Sequence, residues 1–400
     1  MPQTHQEEAR GMTRQATFYW HNGRSLGHTY ESAKLISAFL ACTSRQDVKI
    51  AAITGAFHGL STLPPDCDVM KVPGYRNYDD QQNYASAPVS NLSYDELIGL
   101  RGSLFREHVR AIPPDLLVVN HEIAGQHGEL TKALSEIGPD TCAVLTWRGV
   151  LDGVERTHRK YLNPEALSFI LGTYGEIHVN IDPDVFDLAH YYGFPADLAD
   201  RLVYTGYSDL PGSVEPASCD RSETAVAAMG GGQASWPFWK VLIRALMRSP
   251  EFDEIVVLPG PYLESAQAEQ LLAACREDPR ITVRYDVQDI RPLLVDARLF
   301  LGAAGASTIS EVLAARINAI LVPRQIHERE QEIHASRLDE LGLVRMMPKE
   351  NWDEESVRAT ISEALEDPRP LREPPRMDGA RTSAARLASL IGLKQSRVGS

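Results

Sequence analysis

Along the chain, short uninterrupted apolar runs alternate with segments whose apolar residues recur every three or four positions. Residues 16–22 (ATFYWHN), 48–54 (VKIAAIT), 115–121 (DLLVVNH), 142–147 (CAVLTW) and 176–181 (EIHVNI) read as strands, with a helix over 31–42. After Gly206 the composition shifts to SDLPGSVEPASCDRSE, rich in Ser, Pro and acids, which reads as a linker over 206–222. The alternation then restarts, with strands at 225–229, 254–260, 281–287, 297–303 and 318–323 and helices at 238–247 and 308–315. Apolar runs without polar alternation belong to parallel strands covered on both faces. Two such series in tandem predict an α/β chain of two doubly wound, Rossmann-like parallel-sheet domains. The expected boundaries are a polar tail at 1–14, a first domain at 15–205, a second at 223–370, and a last helix and tail at 371–400. Folds of this kind bind ligands at the C-terminal ends of their strands, so the loops there are the places to look.

Composition narrows the function. The 400 residues leave room for two domains, each with its own core. A formal net charge of -14, from 54 acidic against 40 basic side chains, argues against a nucleic-acid footprint and against docking on an anionic leaflet. It does not exclude a nucleotide, because small sites are shaped locally. No apolar run approaches the ~18 residues that span a bilayer. The N-terminus lacks an apolar leader segment, so the expected location is cytoplasmic, and Met12 is an alternative start. Five scattered cysteines without a CxxC spacing fit neither a disulfide framework nor a zinc cluster.

Three strand-to-helix turns carry candidate chemistry. The first, His21 to His28, places His28 at the start of a helix, where the dipole opposes protonation and suits a general base; a plain capping role is the alternative. The second, Met229 to Ser235, has three glycines whose amides can approach a diphosphate, unless it is simply a flexible loop. The third runs from Gly302 to Glu311. There Thr308 and Glu311 form a T-x-x-E string that reads as a capping box, or Glu311 accepts two hydrogen bonds from a ribose diol. Polar groups at 323–331 suit sugar hydroxyls. In the first domain His121, Glu122, His127, Trp147 and Arg148 follow strands and are candidates for an acceptor site; Arg148 equally suits a donor phosphate. The aromatic, amide-rich stretch 73–88 could line the same cleft or be plain surface. Two Asp-x-Asp strings, Asp66-Cys67-Asp68 and Asp182-Pro183-Asp184, are expected by chance in so acidic a chain, and the second reads as a turn. No metal is expected.

The string GAAGASTISEVLAARINAILVP, followed by Glu330-Gln331 and His334-Ala335, resembles the donor-binding region of glycosyltransferase family 28, the MurG-like group, in its C-terminal domain. ITVRYDVQDIRPLLVDARLFL resembles the strand and helix that precede it there. MGGGQAS resembles that family's GGSxGA loop, with Gly232 where Ser is usual. Leu26-Gly27-His28 resembles the end of its N-terminal glycine-rich loop, and Ala199 to Tyr207 resembles a bacterial group of predicted glycosyltransferases. The resemblance implies the GT-B fold, two such domains facing a central cleft. It implies that Glu311 binds the nucleotide's ribose, and that Gly231, Gly232, Gln233, Gly305, Ala306, Ser307 and Thr308 hold the diphosphate. Glu330 and Gln331 would contact the donor sugar, and His28 would act as base or help anchor phosphates. The implied reaction is metal-independent transfer with inversion, from a UDP- or dTDP-sugar to a hydroxyl. The expected acceptor is a soluble small molecule, for instance an aminoglycoside-like precursor, with no nucleic-acid or integral-membrane partner and a homodimer left open. The alternatives are a nucleotide-sugar hydrolase of the same fold and a non-catalytic nucleotide-sugar binder. A 2-epimerase is a further option, but its carboxylate-rich signatures are absent.

Overall fold

The computed structural model describes residues 13–21, 26–44, 46–77, 84–85, 91–209, 222–228, 230, 236–260, 263–285, 287, 289–324, 328–347, 352–369 and 374–393. Seven strands form the first sheet: β1 (Arg14–Trp20), β2 (Val48–Thr54), β3 (Cys67–Lys71), β4 (Leu116–Asn120), β5 (Cys142–Trp147), β6 (Glu176–Val179) and β7 (Leu202–Tyr204), in the order β3-β2-β1-β4-β5-β6-β7. Six form the second: β8 (Ser222–Ala228), β9 (Glu254–Leu258), β10 (Ile281–Val283), β11 (Ala297–Ala303), β12 (Ala319–Val322) and β13 (Arg345–Met346), in the order β10-β9-β8-β11-β12-β13. Every pairing within the two sheets is parallel. Both are therefore doubly wound, and each reverses its strand order beside its first strand, which opens a crevice at that point.

The helices that matter for the site are α1 (Gly27–Cys42), α2 (Tyr94–Ala111), α3 (Trp236–Met247), α4 (Arg291–Asp296), α5 (Ala306–Ala315), α6 (Glu330–Glu340) and α7 (Gly379–Leu390). Helix α1 begins four residues earlier than its apolar periodicity indicated. Its first turn holds small or polar residues, and His28, Thr29 and Glu31 are nonetheless buried. The Thr308–Glu311 capping box does not form. Helix α5 starts at Ala306 with Gly305 as its N-cap and no side-chain cap, so Thr308 lies inside the first turn and Glu311 in the next. The Asp66-Cys67-Asp68 string runs into the edge strand β3, with Cys67 turned into the core. Asp182 is a turn anchor: its Oδ2 accepts from the Arg376 amide at 2.8 Å and its Oδ1 from the Asp184 amide at 3.1 Å.

The chain returns to the first domain at its end. Ala380, Ala384, Leu387 and Ala388 of α7 are buried in the same apolar cluster as Phe18, Ile36 and Phe39. Two glycines make the return possible. Gly206 has φ +92°, and a Cβ on Gly379 would lie 2.1 Å from the Gly206 carbonyl oxygen. Arg386 pairs with Glu176, and His178 Nδ1 lies 2.6 Å from Ser383 Oγ. A second apolar cluster contains residues of both sheets, from Tyr19 and Val119 to Val226 and Phe300, so the domains share a continuous core. Among the described residues no helix is long and apolar enough to cross a membrane.

Candidate functional site

The strand order of the first sheet reverses between β1 and β4, and the residues directly after these two strands, His21 and His121, meet the start of α1. His21 follows β1, His28 begins α1, and His121 follows β4. The rings of His21 and His28 have centroids 4.5 Å apart, and those of His28 and His121 5.3 Å. His28 Nδ1 lies 2.5 Å from Asn120 Oδ1, and Asn120 Nδ2 donates to Thr146 Oγ1 at 3.1 Å. Thr146 thus orients the Asn120 amide with its oxygen toward the imidazole. That places the His28 proton on Nδ1 and leaves Nε2 as the lone-pair acceptor. Burial, and then the Arg148 charge, hold the His28 pKa well below the ordinary histidine value. A neutral imidazole with a fixed tautomer is the form a general base requires.

The two neighbouring rings are also kept neutral by burial, with Arg148 and Lys160 adding to the effect. The Nδ1 atoms of His21 and His121 are buried without a hydrogen-bond partner among the described residues. His121 holds φ at +65°, a conformation that costs a non-glycine residue about 1–3 kcal/mol and often marks a working loop. His21 was not distinguished by the sequence; only its place at a strand end hinted at it.

Arg148, after β5, turns under α1. Its Nε donates to Glu31 Oε2 at 2.8 Å, with the two side chains 10% and 7% exposed. A Cβ on Gly27 would stand 2.5 Å from Arg148 Nη2, so glycine is what lets the guanidinium reach this position. Nη2 itself is buried without a hydrogen-bond partner among the described residues. The remaining first-domain candidates are placed elsewhere. Trp147 is 0% exposed and packs on Tyr161 and Phe194 inside the core, which removes it from any acceptor surface. Glu122 accepts from Lys160 Nζ at 2.7 Å. His127 sits edge-on to Tyr75 and Tyr94, over the buried Arg101–Glu129 pair.

In the second domain the loop after β11 leads into α5. Ser307 Oγ, in the first turn, is buried and has no hydrogen-bond partner among the described residues. Glu311 is 8% exposed, and its carboxylate accepts no hydrogen bond among the described residues. Burial pushes its pKa up to about 7, against the lowering effect of Lys34 on α1. Gln331, 8% exposed on α6, accepts from the Arg324 amide at 3.1 Å through Oε1 and turns Nε2 toward Gly305. Beside it Glu330 is half-buried, with its pKa pushed up to about 7 by desolvation; Arg148 of the first domain is the largest charge acting against that shift. Ala306, Thr308 and Gly305 complete this helix start. Gly231, Gly232 and Gln233 lie outside the described residues, as does part of the 73–88 stretch.

The two halves are in direct contact. Helix α1 of the first domain packs on α5 of the second, and the Arg329 amide donates to Asp152 Oδ1 at 2.8 Å across the junction. His334 Nε2 lies 2.7 Å from the Tyr207 hydroxyl, with the rings stacked. The neutral His28 imidazole, two carboxyls near neutrality, and a guanidinium nitrogen and a hydroxyl without partners among the described residues thus lie at strand ends and helix starts of the two domains. Such a set can take up a proton and hold a polar, anionic ligand.

Residues 228–391 match the family model described as Glycosyltransferase family 28 C-terminal domain. Over 222 residues the chain is 26% identical to the NDP-glycosyltransferase YjiC of Bacillus subtilis, covering 53% of this chain and 52% of that one. Over 151 residues it is 28% identical to the UDP-N-acetylglucosamine--N-acetylmuramyl-(pentapeptide) pyrophosphoryl-undecaprenol N-acetylglucosamine transferase of Rhodospirillum centenum, covering 36% and 39%. The matches span about half or less of these relatives' lengths. The solved structure of Acinetobacter baumannii MurG is similar across 94% of this chain and 99% of its own, with a TM-score of 0.57 at 13% identity. That of a putative UDP-N-acetylglucosamine 2-epimerase from Listeria monocytogenes is similar across 95% and 96%, with a TM-score of 0.64 at 12% identity. The fold is GT-B, a frame shared by transferases and epimerases, and the second domain resembles family 28 in sequence as well.

Proposed function

We propose that this chain, with a family 28-like second domain as the premise, is an inverting, metal-independent glycosyltransferase. It moves a sugar from a UDP- or dTDP-sugar to a hydroxyl of a soluble small molecule. The observation that carries this reading is Glu311: a buried carboxyl with no hydrogen bond among the described residues, in the second turn of a helix whose first turn holds the orphaned Ser307 hydroxyl. A ribose diol supplies two donors to such a carboxylate, and a diphosphate supplies acceptors to Ser307 and the α5 amides.

In the reaction the acceptor hydroxyl gives its proton to His28 Nε2 while its oxygen attacks the anomeric carbon. The bond to the diphosphate breaks, and its electron pair leaves with the phosphate oxygen. Asn120 fixes the tautomer before this step and hydrogen-bonds the imidazolium after it. Charge growing on the diphosphate is met by Arg148 Nη2 and the start of α5. Gln331 and Glu330 face the sugar hydroxyls. His121 and Glu122 edge the acceptor side. A net charge of -14 suits a cationic acceptor, such as an aminoglycoside-like precursor.

A thermal-shift titration with UDP, dTDP and GDP, with and without EDTA, tests the donor assignment. Stabilisation should grow as RT ln(1 + [L]/Kd) for UDP or dTDP, survive EDTA and disappear in Glu311→Ala. No shift with any nucleotide, or a shift only with a divalent metal, would sink it. A coupled assay for released nucleoside diphosphate then separates transfer from hydrolysis, because only transfer depends on an acceptor.

A further inference from the structure

Lys34 lies midway along α1 and is 1% exposed, although nothing in the proposed reaction uses it. Its Nζ donates to the Ser208 carbonyl at 3.1 Å, which occupies one of three donors. A buried ammonium needs an anion to answer it. The candidates around it are Asp209, Asp289 and Glu311. Arg291, at the start of α4 and 5% exposed, donates to Asp209 Oδ1 at 3.1 Å and to Asp289 Oδ2 at 2.9 Å. Both aspartates are thus held by the guanidinium. Glu311, on the helix packed against α1, accepts from neither cation. After burial itself, the Lys34 charge acts most strongly on Glu311, followed by Asp289, Arg291 and Asp209, and Tyr30 faces the same carboxyl from α1.

The charges give the cluster a definite logic. Lys34 and Arg291 balance Asp209 and Asp289, so Glu311 rests near neutrality. An ionised Glu311 becomes a third anion, and Lys34, which among the described residues donates to neither aspartate, is the cation left to answer it. A ribose diol donates two O–H groups, and a carboxylate accepts both best when ionised. We propose that Lys34 is a positioning residue of the donor site, the counter-ion that lets Glu311 accept a ribose diol, and that it thereby ties α1 of the first domain to a nucleotide held by the second. This rests on the donor site proposed above and extends it to a residue of the other domain.

The test is UDP affinity against pH from 5.5 to 9, measured by calorimetry on the full chain. For the unaltered protein the affinity should be flat on the alkaline side and fall toward tenfold per pH unit below about 7, where Glu311 must give up a proton to bind. In Lys34→Gln, which can keep the bond to the Ser208 carbonyl, the break should move to higher pH and UDP should bind at least fivefold more weakly at pH 7. Lys34→Arg should keep the break in place. Glu311→Gln should abolish it, leaving only the ionisation of UDP's own phosphate near pH ~6. A break that stays put in Lys34→Gln overturns the proposal, even if affinity drops. Absence of UDP binding by the unaltered protein at every pH overturns the donor reading instead. If Lys34→Gln does not fold, Lys34→Arg decides: a break that stays within about half a pH unit supports the counter-ion role, and a break that moves by about a unit or more overturns it.

Discussion

Replacing Arg148 by methionine should separate what this side chain does for the fold from what it does for the ligand. Its Nε bond to Glu31 at 2.8 Å joins side chains only 10% and 7% exposed, so neither charge is well solvated. Removing one partner leaves the Glu31 carboxylate buried and unanswered, a change that costs about 3–5 kcal/mol in comparable pairs. For a domain of roughly 200 residues each kcal/mol moves the melting midpoint by about 2–4 °C, which gives a loss of about 6–20 °C for Arg148→Met. Adding Glu31→Gln removes the stranded charge and should restore most of that loss. UDP affinity should behave differently. Nη2, buried without a hydrogen-bond partner among the described residues, is the atom assigned to the diphosphate, and neither the single nor the double variant replaces it. Scanning calorimetry and nucleotide titration on the four members of the cycle check this directly. A single variant that loses under about 1 kcal/mol refutes the buried-pair argument. A double variant that regains both stability and nucleotide affinity refutes a direct role for Arg148 in binding.

Other consequences follow from the same geometry. His28→Gln should lower kcat by about 10²–10⁴ while leaving the UDP Kd within a few fold, because the lost function is proton transfer rather than donor binding. Glu311→Gln should weaken UDP yet raise unfolding free energy at pH 8 by up to about 3 kcal/mol: burial has pushed this carboxyl up to about 7, so its ionised form destabilises the fold above that pH. Urea titration reads this, and a destabilised Glu311→Gln protein would count against it. His334 has its folded pKa pushed down to about 4 by burial, so the unfolded chain takes up its proton first as pH falls. Its contribution is therefore complete above about pH 6.5 and lost between there and about 4, on the order of 3 kcal/mol; His334→Gln should flatten that part of the stability profile.

The frame of this protein is legible in its sequence because parallel strands buried on both faces cannot hide. VKIAAIT, CAVLTW and ARLFLGA coincide with β2, β5 and β11, and the other strands named from the sequence are displaced only at their ends. β3, β7 and β13 escaped notice, since edge strands carry polar residues and lack a continuous apolar run. The capping box at Thr308 misled because the spacing was right but the helix begins two residues earlier, after Gly305. What remained hidden depends on distant partners. Asn120 meets His28 across 92 positions, Glu31 meets Arg148 across 117, and Lys34 meets the Ser208 carbonyl across 174. Trp147 sits at the position an acceptor site favours, yet the pleat turns it inward, and a strand end does not announce which face its last residue takes.

A crystal structure of the chain with UDP shows whether a nucleotide lies between the two sheets. The expected density has the ribose with its two hydroxyls on the Glu311 carboxylate, and the diphosphate on Ser307 and the first amides of α5, pointing toward His28 and Arg148. A nucleotide bound elsewhere, or a ribose turned away from Glu311, would contradict it.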